Sequence, residues 1–206
     1  KGVEEKEWFE IYRDETTKNW IVAKTVLEIS YSRDECVGED VMIVGSKHKN
    51  ALLFFTPFKG LSGKVETVLE HQPLIPTKPV VFSMNGTAYN LSPDGVLYSE
   101  ADEVIKADEL KKDEEGIYFI DQIKSYRLTF QSGTSNPYEI CSSEMVQGVT
   151  PTLLWAGDIN NDGLPDMILD MSDFYESKHL YFFLSDPGDK DKPVKKLADL
   201  KVVNDC

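Results

Sequence analysis

The run Val80–Leu91, VVFSMNGTAYNL, limits this chain more than any other stretch. Two segments rich in β-branched and aromatic residues flank Asn85-Gly86, and that dipeptide supplies the two positive φ angles of a type I′ turn. An antiparallel β-hairpin is therefore expected there. Trp20–Tyr31 also alternates with a period of two, with Ala23, Thr25, Leu27, Ile29 and Tyr31 on one face and Val22, Lys24, Val26, Glu28 and Ser30 on the other, which predicts a strand. Further strands are expected at Ala51–Phe58 up to Pro57, Lys64–Leu69, Ile117–Ile120, Ser125–Ser132, Thr152–Asp158, Asp166–Ser172, His179–Ser185 and Lys196–Val203. Turns are expected at Gly60–Gly63, at Ser92–Gly95 (SPDG) and at the tip Ser185–Pro193. Strand and turn signals recurring about every ten residues predict a mainly β protein, an antiparallel sandwich or barrel-like single domain over residues 1–206 with little helix. The nearest thing to a boundary is QPLIPTKP, residues 72–79.

Glu100–Glu115, EADEVIKADELKKDEE, is the one segment with a helical alternative. Val104, Ile105 and Leu110 form only a narrow apolar stripe among charges, so the reading is a short surface helix or an exposed irregular excursion. Charge narrows the function classes. The chain carries 36 Asp and Glu against 22 Lys and Arg, a net charge of −14, which repels phosphate backbones and anionic lipid surfaces and argues against nucleic acid as a partner. No apolar run is long enough for a transmembrane helix; Ala51–Phe55 reads as a buried strand. A start at Lys1 without Met is expected of a chain whose leader has been removed.

Acidic residues concentrate in WAGDINNDGLPDMILDMS, Trp155–Ser172. Counting from Asp158, oxygen-bearing side chains fall at positions one (Asp158), three (Asn160), five (Asp162) and nine (Asp166), with Gly163 at six and Leu164 at seven. Three carboxylates so close repel one another, and a hard divalent cation relieves that repulsion. Calcium takes six to eight oxygens at about 2.3–2.6 Å from carboxylates, amides and main-chain carbonyls. An EF-hand closes with Glu at position twelve, where this chain has Leu169, and its flanks are helices. Closure at position nine between two strands resembles instead the calcium hairpin of FG-GAP repeats, the loops of integrin-type β-propellers. AGDINNDGLPDMIL matches their pattern over about fifteen residues. The resemblance implies one Ca²⁺, held by the side chains of Asp158, Asn160, Asp162 and Asp166 and the carbonyl of Leu164. The hairpin occurs once, so the resemblance implies a solitary FG-GAP-like hairpin inserted in another β fold, as in secreted bacterial β proteins. The alternative is an Asx-turn hairpin that binds nothing.

Other residues offer less. Cys36, Cys141 and Cys206 form no CxxC pair, which argues against a thiolate zinc site. Spacing leaves all three disulfide pairings open; Cys36 with Cys206 is preferred, because a terminal cysteine suits the stapling of a loose end. His48, His71 and His179 lie in no ligand spacing and read as solvated or turn histidines. There is no GxSxG elbow and no P-loop. Phe174 and Tyr175 follow the acidic hairpin and could stack on a ligand, or else pack over the end of the sheet. These readings together predict an extracytoplasmic (periplasmic, secreted or envelope-associated) calcium-binding β protein. It is expected to be monomeric and non-catalytic, with a protein or glycan ligand. The alternative is an extracellular hydrolase of glycans or peptides that uses unidentified Asp and Glu residues.

Overall fold

Alternating, β-branched sequence becomes strand throughout the computed structural model, which describes residues 6–33, 38, 40–61, 63–112, 118–174, 177–189 and 191–203. Among the described residues there is no helix, and so none long and apolar enough to cross a membrane. The chain divides into two compact units. One comprises Lys1–Thr67 with Asp158–Asp162 and Asp205–Cys206, and the other comprises Val68–Gly157 and Gly163–Asn204.

In the first unit, β1 (Trp8–Arg13) lies between β2 (Trp20–Thr25) and β5 (Ala51–Phe55) in a three-stranded antiparallel sheet. Ile11, Trp20, Val22, Phe55 and Val65 are buried in it. The strand expected over Trp20–Tyr31 divides at Val26-Leu27. Its second half, β3 (Glu28–Arg33), pairs with β4 (Asp40–Gly45) in a separate two-stranded sheet. Alternation shows which residues share a face but not which partner the strand takes, so the division left no mark on the pattern. Tyr31, Met42 and Ile43 of this hairpin stay exposed.

The second unit is a sandwich. One sheet runs β11 (Tyr138–Gln147), β10 (Gln122–Ser132), β8 (Thr87–Tyr98), β7 (Val80–Met84), with β9 (Val104–Ile105) also on β8. The other runs β15 (Val194–Val203), β14 (Ser177–Ser185), β13 (Asp166–Asp170), β12 (Thr152–Asp158), β6 (Glu66–Pro73). Leu91, Leu128 and Phe130 of the first sheet and Leu153, Met167, Leu169 and Phe183 of the second fill one shared core. None of the sheets closes on itself, so the sandwich and not the barrel is formed. At the far edge, β15 keeps Lys195, Lys196 and Lys201 exposed along its length.

Asn85 (φ 49°) and Gly86 (φ 79°) make the expected two-residue turn between Met84 and Thr87. SPDG, expected as a turn, lies instead inside β8, where β10 bulges as Ser125 and Tyr126 pass Gly95. Gly95 takes φ 146°, and a Cβ there would come within 2.9 Å of the Ile123 side chain and 3.2 Å of the Lys124 carbonyl. Only glycine fits, and it bends the strand without ending it. Of Glu100–Glu115, the described part is the irregular excursion, which pairs with β8 through β9. The strand expected at Ile117–Ile120 reduces to one bridge, Lys112 to Tyr118. The strand expected from Lys64 runs on as β6 to Pro73, into the proposed boundary segment.

Candidate metal centre

Two strands with apolar centres carry the acidic loop. In β12 and β13, Leu153, Trp155, Ala156, Met167, Ile168 and Leu169 are all wholly buried, so the hairpin is enclosed on both faces. Its register runs Thr152↔Asp170 to Gly157↔Asp166, with one irregularity between Leu153 and Trp155. Burial of that order, about 1.5–3 kcal/mol per large side chain, anchors the two ends of the loop firmly. The loop is then free to hold a conformation it would not choose alone.

The first arc, Asp158–Asp162, is organised by its own side chains. The Asp162 N–H donates to Asp158 Oδ1 at 3.1 Å and to Asn160 Oδ1 at 3.2 Å, and Asn160 Nδ2 donates to Asp162 Oδ2 at 3.0 Å. Oxygens from positions one and three therefore meet at a single amide hydrogen, the Asx-turn pattern that short acidic side chains favour. Asn161 reverses the chain in the left-handed region (φ 56°). Asp158 is 6% exposed, whereas Asp162 is open to solvent. Gly60, at φ 93°, packs on this arc: a Cβ there would lie 2.1 Å from the Asn160 carbonyl oxygen.

The second arc begins at Gly163 (φ 81°), whose carbonyl accepts Asn85 Nδ2 at 2.8 Å. Asp166 at its end has no exposed surface, and its Oδ1 accepts the Ser185 N–H at 2.8 Å. All five expected ligands therefore sit on one hairpin loop. Among the described residues, however, no group of three or more His, Cys, Asp or Glu side chains gathers at a point that could hold a metal ion. The donor chemistry does suit a hard cation. The set is all oxygen, two of its carboxylates are buried, and Leu128–Ser177 contains eight acidic residues and no Lys, Arg or His.

The remaining candidates fall elsewhere. Phe174 is half-buried and lines a cavity with Glu100 and Asp121; Tyr175 lies outside the described residues. Cys36 and Cys206 lie outside them as well. Cys141 is a free, buried thiol whose burial pushes its pKa up to about 12, which makes it unreactive. Of the histidines expected as solvated or turn residues, His48 lies at the turn before β5 and His179 within β14, and both meet a carboxylate. His48 Nδ1 bonds the wholly buried Glu10 at 2.6 Å, Ser46 Oγ donates to the same carboxylate, and His48 stacks on Tyr12 at 3.7 Å between ring centroids. His179 Nε2 meets Asp199 Oδ1 at 2.6 Å. Partners 38 and 20 residues away explain why local spacing did not reveal them. The chain matches no protein-family profile, no curated protein and no solved structure.

Proposed function

We propose that this chain is an extracytoplasmic, non-catalytic binding protein in which one Ca²⁺ closes the Asp158–Asp166 loop of the β12–β13 hairpin. The observation that carries this reading is the convergence of Asp158 Oδ1 and Asn160 Oδ1 on the Asp162 N–H, above strands buried on both faces. A cation would take the place of these weak donors. It would draw on the carboxylates of Asp158, Asp162 and Asp166, the amide oxygen of Asn160 and the carbonyl of Leu164. The role is structural: the ion offsets the repulsion of the loop and fixes the turn between β12 and β13. Where calcium is millimolar, a site with a dissociation constant of about 10⁻⁴–10⁻³ M is occupied. The carboxyls of Asp14, Asp173 and Asp199 are not poised as general acids. They are held below their usual pKa by the Thr17 amide, Lys201 and Lys196 respectively, the wrong direction for a general acid.

The test is thermal unfolding in calcium, in magnesium and in excess chelator, with Asp162→Ala alongside because that side chain is exposed and its loss spares the core. Calcium at about ten times its dissociation constant adds about 1–2 kcal/mol. For a protein of this size each kcal/mol is worth about 2–4 °C, so Tm rises by several degrees in the parent and stays put in the variant. Equal melting in all three solutions would refute the metal reading.

A further inference from the structure

The end of the second unit opposite the acidic loop, beyond the Thr152↔Asp170 and Gln122↔Gln147 pairs, holds a cavity of about 430 Å³, lined by Ser99, Glu100, Asp102, Asp121, Gln122, Gln147, Gly148 and Phe174. Small-molecule sites typically span about 300–1,000 Å³. We infer that this cavity binds an uncharged pyranose glycan, with the Phe174 ring as the stacking face and the carboxylates and carboxamides around it as partners for sugar hydroxyls. This goes beyond the calcium reading and does not depend on it.

The frame is already assembled. The Phe174 carbonyl accepts both the N–H and the hydroxyl of Ser177 at 3.0 Å, and Phe174 bridges to Gln147 in parallel register. The Gln147 N–H donates to the Asp173 carbonyl and the Gly148 N–H to the Asp121 carbonyl, both at 2.9 Å. The Glu100 N–H donates to Asp121 Oδ2 at 3.1 Å, and the Asp102 N–H to the Ser99 carbonyl at 2.8 Å. Four chain segments are thereby locked to one another before any ligand arrives, which lowers the ordering cost of binding. Because these main-chain N–H groups serve each other, they offer no ladder to an extended peptide, and what faces a ligand is side-chain chemistry. That chemistry is one aromatic ring, three carboxylates, two carboxamides and a hydroxyl. A pyranose presents C–H groups on one face, suited to the ring, and vicinal hydroxyls at its rim, suited to planar acceptors and amides. No Lys or Arg lines the cavity; Lys124, beside it, pairs with Asp102 at 3.0 Å and lies over the Tyr98 ring at 4.1 Å. Acidic sugars are thus repelled by the same carboxylates that accept neutral hydroxyls.

The experiment is calorimetric titration, with saturation-transfer NMR, of the whole chain against neutral tetrasaccharides of gluco, manno, galacto and N-acetylglucosamine configuration. Tetragalacturonate and tetralysine are titrated beside them, each in calcium and in chelator. Saturable binding of one neutral tetrasaccharide in either solution, weakened roughly tenfold by Phe174→Ala, is expected. Gln147→Ala, at an exposed position that leaves the core untouched, should weaken it several-fold. No neutral ligand bound, binding indifferent to both variants, or binding of tetralysine alone would overturn the inference. Retention of sugar binding in chelator separates its fate from that of the calcium loop.

Discussion

Two hairpins solve the same problem in opposite ways. β7 and β8 reverse through Asn85-Gly86 alone, two residues already suited to left-handed backbone, and the strand leading in is partly open, with Val81 64% exposed. β12 and β13 are buried on both faces but reverse through seven residues that carry Asp162 and lie between Asp158 and Asp166. The first turn is made by local preference. The second is made by its anchors, which allow an unfavourable loop to be kept. The two are joined where Asn85 Nδ2 donates to the Gly163 carbonyl, so the self-sufficient turn braces the dependent one. A long, costly loop on well-buried strands is thus the place to look for chemistry, and a short inexpensive one is a place to look for support.

The widest gap between the hairpins lies in their strands. Trp155→Ala should cost about 3–5 kcal/mol, while Val81→Ala should stay within about 0.5 kcal/mol, both read by urea unfolding. Comparable losses would break the comparison outright. Asn85→Gly keeps the positive φ of its turn and removes only the bond to Gly163, so about 0.5–1.5 kcal/mol should go, and the calcium-dependent rise in Tm should shrink with it. An unchanged calcium response would show that the loop needs no brace. The smallest effect concerns acids treated a third way, by pairing with lysine on β14–β15 and beside them. Lys201 lowers the pKa of Asp173 and Lys196 that of Asp199. A depressed folded-state pKa contributes stability above the unfolded value, about 3.9, that is lost as pH falls below it. Both groups are partly solvated, so Tm should decline only slightly more steeply between pH 5 and pH 3 (~2 units) in the parent than in a Lys196→Met/Lys201→Met variant.

Sequence disclosed what is local. Asn85-Gly86 named its own turn, and Thr152–Asp158 and Asp166–Ser172 named their strands, because backbone preference and alternation are written within a few residues. What depends on distant partners stayed hidden. Trp20–Tyr31 read as one strand because nothing in its alternation marks a change of sheet, and SPDG read as a turn because a bulge uses the same residues. β1, β4 and β11 offered weaker patterns and were not foreseen. At the candidate site the spacing Asp158, Asn160, Asp162, Gly163, Asp166 could be read directly. The packing of Gly60 on Asn160 and the grouping of Asp121, Gln147 and Phe174 could not, since they join segments remote in the chain.

The lysines along β15 bear on how this protein behaves in a crowd. Among the described residues β15 pairs with β14 alone, and such an outer strand is a template on which further copies could stack into fibrils. Each added copy would set Lys195, Lys196 and Lys201 against another lysine-bearing edge, and each would have to shed the hydration of those ammonium groups. Charged side chains along an outer strand thus oppose its pairing with a second copy, even where Lys196 and Lys201 also pair with Asp199 and Asp173.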